Sequence, residues 1–497
     1  MSDSTTPPVL VVGAGPVGLG AALMLARHGT PVRIIDKDEA PTDLSKALVV
    51  WQRTMETFDP VLPYERFADG HPVLKGVSLG LTPGKAIPVD IPSQPGRPPA
   101  CVLIPQSATE RVLATRLEEF GVTVERRTEL TGFDPAPDGV TCQLTGPGGT
   151  QEVRTPWLVA CDGAHSIARQ RLDLSFPGET VHHRWMLADI DIAADPVPDD
   201  HHILIRRNEA GIVALFPMGA GRWRVIADLG PVEETGGPRE IGTEEVQATL
   251  DARTDLGWRI TGTHWTSDFG VNERQIENYV HGRVVLAGDA AHIHSPAGGQ
   301  GMNTGLQDAA NLAWKLALVL RGAAPESLMQ TYNAERHPVG EAVLKQSGAM
   351  LRMGMVTGAR KFIVEHLAPV ALSLPVVRHK LVEFLTEEAV SYREGPLADA
   401  TSSHRIHSGD GWPLSRGAQA ELLLLGAAAT DEAPDTFGGP NGLPLTVTRA
   451  EVDDHLAEAL GHDSGALLVR PDGAVATVGP DAESATTWIR ERIQVVG

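Results

Sequence analysis

Cysteine is scarce in this chain: three among 497 residues, Cys101, Cys142 and Cys161. None falls in a CxxC spacing or beside histidines at a metal-ligand spacing, which argues against disulfides and a zinc site and for a reducing compartment. Basic residues are in deficit. Lys+Arg number 42 against 63 Asp+Glu, a net charge of −21, and such a field repels nucleic acid and anionic membranes. Long apolar runs are missing too: the most apolar late stretch, Phe362 to Val377, is interrupted by Glu365, His366, Pro369 and Pro375 and is too short to span a bilayer. The N-terminus carries no charged-then-apolar signal segment, so a cytoplasmic protein is expected. Gly-x-Ser-x-Gly, HExxH and internal repeats are also absent. What remains is an ordinary globular composition, 42% hydrophobic and 21% charged, in a chain long enough for two or three domains.

Glycine is what stands out, in three separated segments. Val9 to Val12 reads as a buried strand, Pro16 to about His28 as a helix stopped by Gly29, and Val32 to Ile35 as a second strand ending at Asp36. Between the first strand and the helix lies Gly13-Ala14-Gly15-Pro16-Val17-Gly18. Its glycines close the turn, let backbone approach a pyrophosphate and let the helix pack on the strand, while Asp36 suits a ribose hydroxyl. The helix N-terminus offers free N–H groups to phosphate. The second segment, Asp162-Gly163-Ala164, follows a strand from Leu158. The third is Gly288-Asp289, ending a strand from Arg283, and then Pro296-Ala297-Gly298-Gly299-Gln300-Gly301-Met302-Asn303 opening a helix to Leu320. Backbone glycine there can lie against a flat ring, and the helix N-terminus can stabilise negative charge on it. A chain that returns to one ligand from both ends points to an extended cofactor, with FAD the best candidate.

Between these segments the pattern changes. A helical spacing from Thr109 to Phe120 and a strand at Val122 to Val124 precede an antiparallel meander from Thr128 to Val159. From about 176 to 280, strands at His201–Ile205, Ile212–Phe216 and Trp223–Asp228 suggest an inserted antiparallel sheet. Met350 to Leu385 reads as helical, with breaks at Pro369 and Pro375. After about 396 the composition shifts to Gly, Pro, Ser and Ala, as in a linker, followed by a hairpin signal around Pro471-Asp472-Gly473.

With GAGPVG at Gly13 to Gly18, DGAHS at Asp162 to Ser166 and GDAAHIHSPAGGQGMNTGLQDAANLAWKL at Gly288 to Leu316, the chain resembles the class A FAD-dependent aromatic monooxygenases, the p-hydroxybenzoate hydroxylase fold. The likeness covers roughly residues 8 to 345. It implies an α/β fold: a Rossmann-like FAD-binding domain (1–175 and 281–395), an inserted antiparallel-sheet substrate domain (176–280) and a small thioredoxin-like C-terminal domain (396–497) without CxxC. That appendix marks the phenol hydroxylase and aromatic polyketide hydroxylase branch. It further implies that Gly13, Gly15, Pro16, Gly18 and Asp36 bind the ADP half of FAD, and Gln106 and Asp289 the ribityl and pyrophosphate region. Pro296, Gly299, Gly301, Met302 and Asn303 would meet the isoalloxazine, and Asp162 with Arg169 would lie where FAD and NAD(P)H come together. Lys46 stands where relatives commonly carry Arg, which keeps the charge and loses the planar fork. The implied reaction is NADPH- or NADH-driven hydroxylation of a small aromatic substrate by dioxygen through a flavin C4a-hydroperoxide, in an enzyme that binds neither nucleic acid nor membrane and forms a homodimer.

Candidate substrate contacts in the inserted sheet are Arg206, Phe216, Met218 and Trp223. No base is singled out among His182, His183, His201, His202, His292 and His294. Two same-fold alternatives are Baeyer–Villiger insertion and oxidative inactivation of a polyketide drug. An alternative of another class is a non-catalytic FAD/NAD sensor. A flavin halogenase is disfavoured because Trp223 lacks a tryptophan two residues on, and a plain NAD dehydrogenase because of the Gly288–Asn303 segment.

Overall fold

The computed structural model describes residues 7–42, 46–82, 85–92, 97–194, 201–231, 239–356, 367–368, 370–398, 418–425, 428–429, 432–437, 441–450 and 465–494. Most of the expected linker after residue 396, and the expected break at Pro369, lie outside the described residues.

Apolar runs of three or four residues build a six-stranded sheet in the order Val280–His281, Val284–Leu286, Leu158–Ala160, Val9–Val12, Val32–Ile35, Val124–Glu125. All its pairings are parallel except at the Val280–His281 edge. Val9–Val12, Leu158–Ala160 and Val284–Leu286 are wholly buried, as expected for strands covered on both faces. These three, drawn from distant parts of the chain, are neighbours in register: Val12 pairs with Ala160, and Ala160 with Leu286. Their carboxyl ends therefore lie side by side, and each leads into one of the three glycine segments. Ligands bind at that edge of an open α/β sheet.

A second sheet has eight strands in the order His292–Ile293, Arg259–Gln275, Gly178–Ala193, Arg222–Pro231, Gly211–Gly219, His202–Asn208, Gly76–Thr82, Lys85–Asp90. It is not confined to residues 176–280: the hairpin from Gly76 to Asp90 extends one edge, with Val77 paired parallel to Ile203, and the short strand before the Pro296 loop closes the other. One face carries Met186, Val213, Leu215, Trp223 and Val225 and is covered by the helix Thr243–Arg253 through Val246 and Leu250. The opposite face looks toward the strand Val49–Trp51 and the glycine loop. The meander lies at Glu129–Ala136, Gly139–Gly146 and Gly149–Thr155.

The C-terminal region forms a five-stranded mixed sheet in the order Thr436–Phe437, Leu443–Ala450, Ala420–Leu425, Gly465–Val469, Val475–Gly479. The last two strands are the hairpin, turning at Gly473 with φ +73°. This sheet docks on the far half of the helix Gly301–Leu320, where Trp314, Ala317 and Leu318 share a core with Leu422, Leu424, Phe437 and Trp488.

Candidate active site

The three glycines of the first segment have different reasons to be there. Gly13 sits at φ +95°, and a Cβ on it would lie 2.4 Å from the Cys161 carbonyl oxygen; one on Gly18 would lie 1.8 Å from the Gly13 oxygen. Both are demanded by packing. A Cβ on Gly15 would meet nothing within 4 Å. Gly15 is also the residue capping the helix Pro16–Arg27, which has no side-chain cap, so open space lies over uncapped N–H donors. That is the shape and polarity a pyrophosphate needs. Asp36, beside it, accepts from the Ala14 N–H at 2.6 Å and the Asp38 N–H at 2.8 Å, with Arg126 3.7 Å away.

The second and third segments are tied together. Asp162 accepts from the Ala168 N–H at 3.1 Å, and burial raises its carboxyl above the ordinary range. Arg169 donates to the carbonyls of Ala164 and Ala290 and stacks on Phe176 at 4.0 Å, so its guanidinium serves the protein itself. Asp289 is exposed although the strand leading to it is buried. The protein around it raises its carboxyl, against the pull of His292 and Lys46. Lys46 is exposed, and Gln106 is held by Ala47, whose N–H it accepts at 3.2 Å. In the loop, Gly298 and Gly299 take φ +86° and +64°, a left-handed pair that glycine tolerates without strain. Pro296 is exposed, while Gly301 and Met302 are half-buried at the start of a helix without a side-chain cap. Asn303 is buried with its amide fully used: it accepts from Trp51 N–H at 3.0 Å and donates to Val49 O and Gly299 O, both at 2.9 Å. Its side chain shapes the loop, leaving backbone to meet a ring.

A family profile described as the FAD binding domain matches residues 6–347. The chain belongs to the FAD binding domain family. Among its relatives, 6-methylpretetramide 4-monooxygenase of Streptomyces rimosus is 34% identical, covering 99% of this chain and 94% of its own. A rifampicin monooxygenase of Streptomyces venezuelae is 32% identical over 96% and 97%. A dialkyldecalin synthase of Streptomyces rugosporus is 31% identical over 97% and 96%. The solved structure of an anhydrotetracycline hydroxylase from Streptomyces rimosus superposes with a TM-score of 0.78, at 30% identity and 98% and 99% coverage. The cofactor of the family is FAD, and the open space at Gly15, the exposed Asp289 and the uncapped helix at Gly301 fit it.

Sequence reasoning overlooked the support beneath the FAD loop. His292 Nε2 lies 2.6 Å from Asp308 Oδ2, and its Nδ1 lies 2.7 Å from His294 Nε2. Arg336 donates to Asp308 Oδ1 at 2.7 Å, to Thr304 O at 3.0 Å and to Tyr392 Oη at 2.9 Å. Burial alone would raise the Asp308 carboxyl, but Arg336 and His292 outweigh it and hold it below the ordinary range. Burial, with His292 beside it, pushes the His294 imidazole well down. Both histidines thus orient the loop. The missed signal was polar residues at helical spacing, Thr304, Gln307, Asp308, Asn311 and Lys315, in a helix otherwise rich in Ala and Leu.

The substrate sheet divides the four candidates. Phe216 pairs with Arg224, and Arg224 with Asp189, so these share the face toward the FAD loop. Phe216 and Met218 pack with Leu48, Val49, Trp51 and, from the helix Pro375–Leu385, Leu381 and Phe384. Arg224 holds Asp189 in a two-pronged pair at 2.7 and 2.8 Å and donates to Lys46 O at 3.1 Å. Trp223 and Arg206 are placed on the other face. Trp223 stacks 4.7 Å from Trp258, and Arg206, opposite Val213, donates to Ser78 O at 2.9 Å. Neither side chain faces the FAD site. Trp223→Ala is therefore expected to cost about 3–5 kcal/mol of stability without altering KM on the folded fraction. Phe216→Ala should lower stability too but also raise KM on the folded fraction, and steady-state kinetics with thermal unfolding separate the two variants.

Glu387 lies against Gln307 of the helix Gly301–Leu320 and Thr54. It is buried at φ +62°, a strained geometry for this residue, and accepts from Gln307 and Thr54. Burial, opposed by Arg336 and these donors, pushes its carboxyl up to about 8. The folded protein therefore binds this proton more tightly than the unfolded chain, and the stability it contributes is complete below the unfolded value near 4.5 and declines as pH rises toward 8. Glu387→Gln should flatten the dependence of melting temperature on pH across that window. An unchanged slope would contradict a protonated Glu387.

Proposed function

We propose that this protein is an NAD(P)H-dependent FAD monooxygenase that hydroxylates a phenolic ring of an aromatic polyketide. The observation that carries the reading is the pairing of an FAD cradle with a mixed apolar and polar sheet face on the far side of the Gly298–Asn303 loop. Ala297, just before that loop, packs against a cluster including Trp185, Ile226 and Phe269 on the sheet, so a ring held by this face would be close to the residues that would hold FAD. Gly13, Gly15, Pro16, Gly18 and Asp36 would hold the ADP half, Lys46, Gln106 and Asp289 the middle, and the Pro296–Asn303 backbone the ring system. Bound FAD supplies reduction by NAD(P)H and transfer of one dioxygen atom to an electron-rich ring.

The chain's own part is placement, exclusion of water and charge stabilisation. Uncapped N–H groups at the start of the helix Gly301–Leu320 would stabilise negative charge on a ring system held there, without reorganising. Phe216, Met218, Leu381 and Phe384 supply apolar walls. The Asp189–Arg224 pair is buried on that face, and through the Arg224 bond to Lys46 O it fixes the backbone of the segment that borders the FAD site.

NADPH oxidation by FAD-loaded protein, stimulated by polycyclic phenols and accompanied by a hydroxylated product, is the expected result. Peroxide as the sole product with every such phenol would count against the reading. A second reading is suggested by the relative named as a synthase: conversion of a substrate with no net oxidation. It predicts substrate conversion without NADPH consumption.

A further inference from the structure

The turn Arg470-Pro471-Asp472-Gly473 belongs to the C-terminal sheet, yet its polar groups are buried inside the FAD-binding half. Arg470 grips Glu335 with two bonds of 2.7 and 2.8 Å and Asp472 with bonds of 3.1 and 2.6 Å. Asn311 donates to Glu335 and to Asp472, both at 2.9 Å; Lys315 donates to Glu335 at 2.7 Å and to Asn311 Oδ1 at 2.8 Å. All five side chains are at most 4% exposed. The two cations and two carboxylates balance. Gly473 O accepts from Arg53 at 2.9 Å, in the helix Gln52–Phe58 that continues the strand Val49–Trp51.

Docking the sheet does not require this cluster. The apolar contact of Trp314, Leu318, Leu422, Leu424, Phe437 and Trp488 already provides it, and buried ion pairs add little stability over well-packed apolar groups. What the cluster contributes is position. It grips Asn311, one helical turn beyond Gln307 and Asp308, on the stripe that runs to the FAD loop. Through Arg53 it also reaches the helix behind the strand whose backbone Asn303 clamps. These are the two arms that shape the edge of the FAD site.

We propose that the Arg470–Gly473 turn is a positioning element of the FAD site, fixing the helix Gly301–Leu320 and the Val49–Phe58 arm relative to each other from the C-terminal sheet. The decisive variant is Arg470→Met with Glu335→Met. It removes one cation and one carboxylate together, so Lys315 and Asp472 remain equal in charge and joined through Asn311, which bonds to both.

Titration of the full-length apoprotein with FAD, followed by flavin fluorescence, should show binding about tenfold weaker, or about 1.4 kcal/mol. In the FAD-saturated protein, a larger share of consumed NADPH should end as peroxide, while the melting temperature stays near that of wild type. Wild-type affinity and wild-type peroxide share in this variant would overturn the proposal, as would a loss of melting temperature with FAD affinity intact. Should the double variant fail to fold, Arg470→Lys decides. Lysine keeps the charge but cannot hold both carboxylates, so the same loss is expected and unchanged FAD binding refutes the role. Wild-type protein that binds no FAD would instead indict the cofactor assignment, which the same titration reads first.

Discussion

Gly15→Val is expected to abolish FAD binding, by more than about a hundredfold, while the apoprotein melts like wild type. The expectation follows from two observations together. A Cβ at Gly15 enters space that no protein atom occupies, so the fold meets no clash there. The same space lies over the uncapped N–H groups of the helix Pro16–Arg27, where an anion gains most. Gly18→Ala is the control. Its Cβ would fall 1.8 Å from the Gly13 oxygen, so stability and FAD binding must fail together. Apoprotein melting and FAD titration separate the two variants. FAD bound normally by Gly15→Val would place the pyrophosphate elsewhere.

Asp308→Ala is expected to destabilise the protein by about 3–5 kcal/mol, the largest effect of any single change under the FAD loop. Among the described residues, Arg336 would be left buried with Thr304 O and Tyr392 Oη as its hydrogen-bond partners, and His292 would lose its bond to Asp308. Asp308→Asn keeps an acceptor and should cost less. The sign with pH is opposite to that of Glu387. The Asp308 carboxyl is held below its ordinary range in the folded state, so its contribution is complete above the unfolded value, about 3.9, and is lost as pH falls through the lower folded value. Denaturant unfolding at neutral and acidic pH checks this: the gap between wild type and Asp308→Ala should narrow in acid. Equal stability at neutral pH would contradict the buried pair.

Much of the cofactor half was legible because each glycine segment follows a short apolar strand, and parallel strands deliver their carboxyl ends to one edge. The substrate half was less so. Alternation along a strand tells which residues share a face but not which face meets the cofactor, and the pairing of Phe216 with Arg224 rather than Trp223 decides it. The Gly76–Asp90 hairpin joins that sheet from far away in the chain, with glycine and proline obscuring its strands. Asn303 was legible as a loop residue, but its clamp on Val49 and Trp51 depends on a strand more than 250 positions away. The buried stripe Gln307, Asp308, Asn311 and Lys315 reads as a solvated face until Arg336, Glu335 and Arg470 are seen to cover it.

The measurement that tests the account most directly is mass analysis of the product formed from a polycyclic phenol by FAD-loaded protein and NADPH under isotopically heavy dioxygen. One heavy oxygen atom on an aromatic carbon, with NADPH consumed in equal amount, is the predicted result. A product carrying only oxygen from water, or a rearranged product formed with no NADPH consumed, would contradict it.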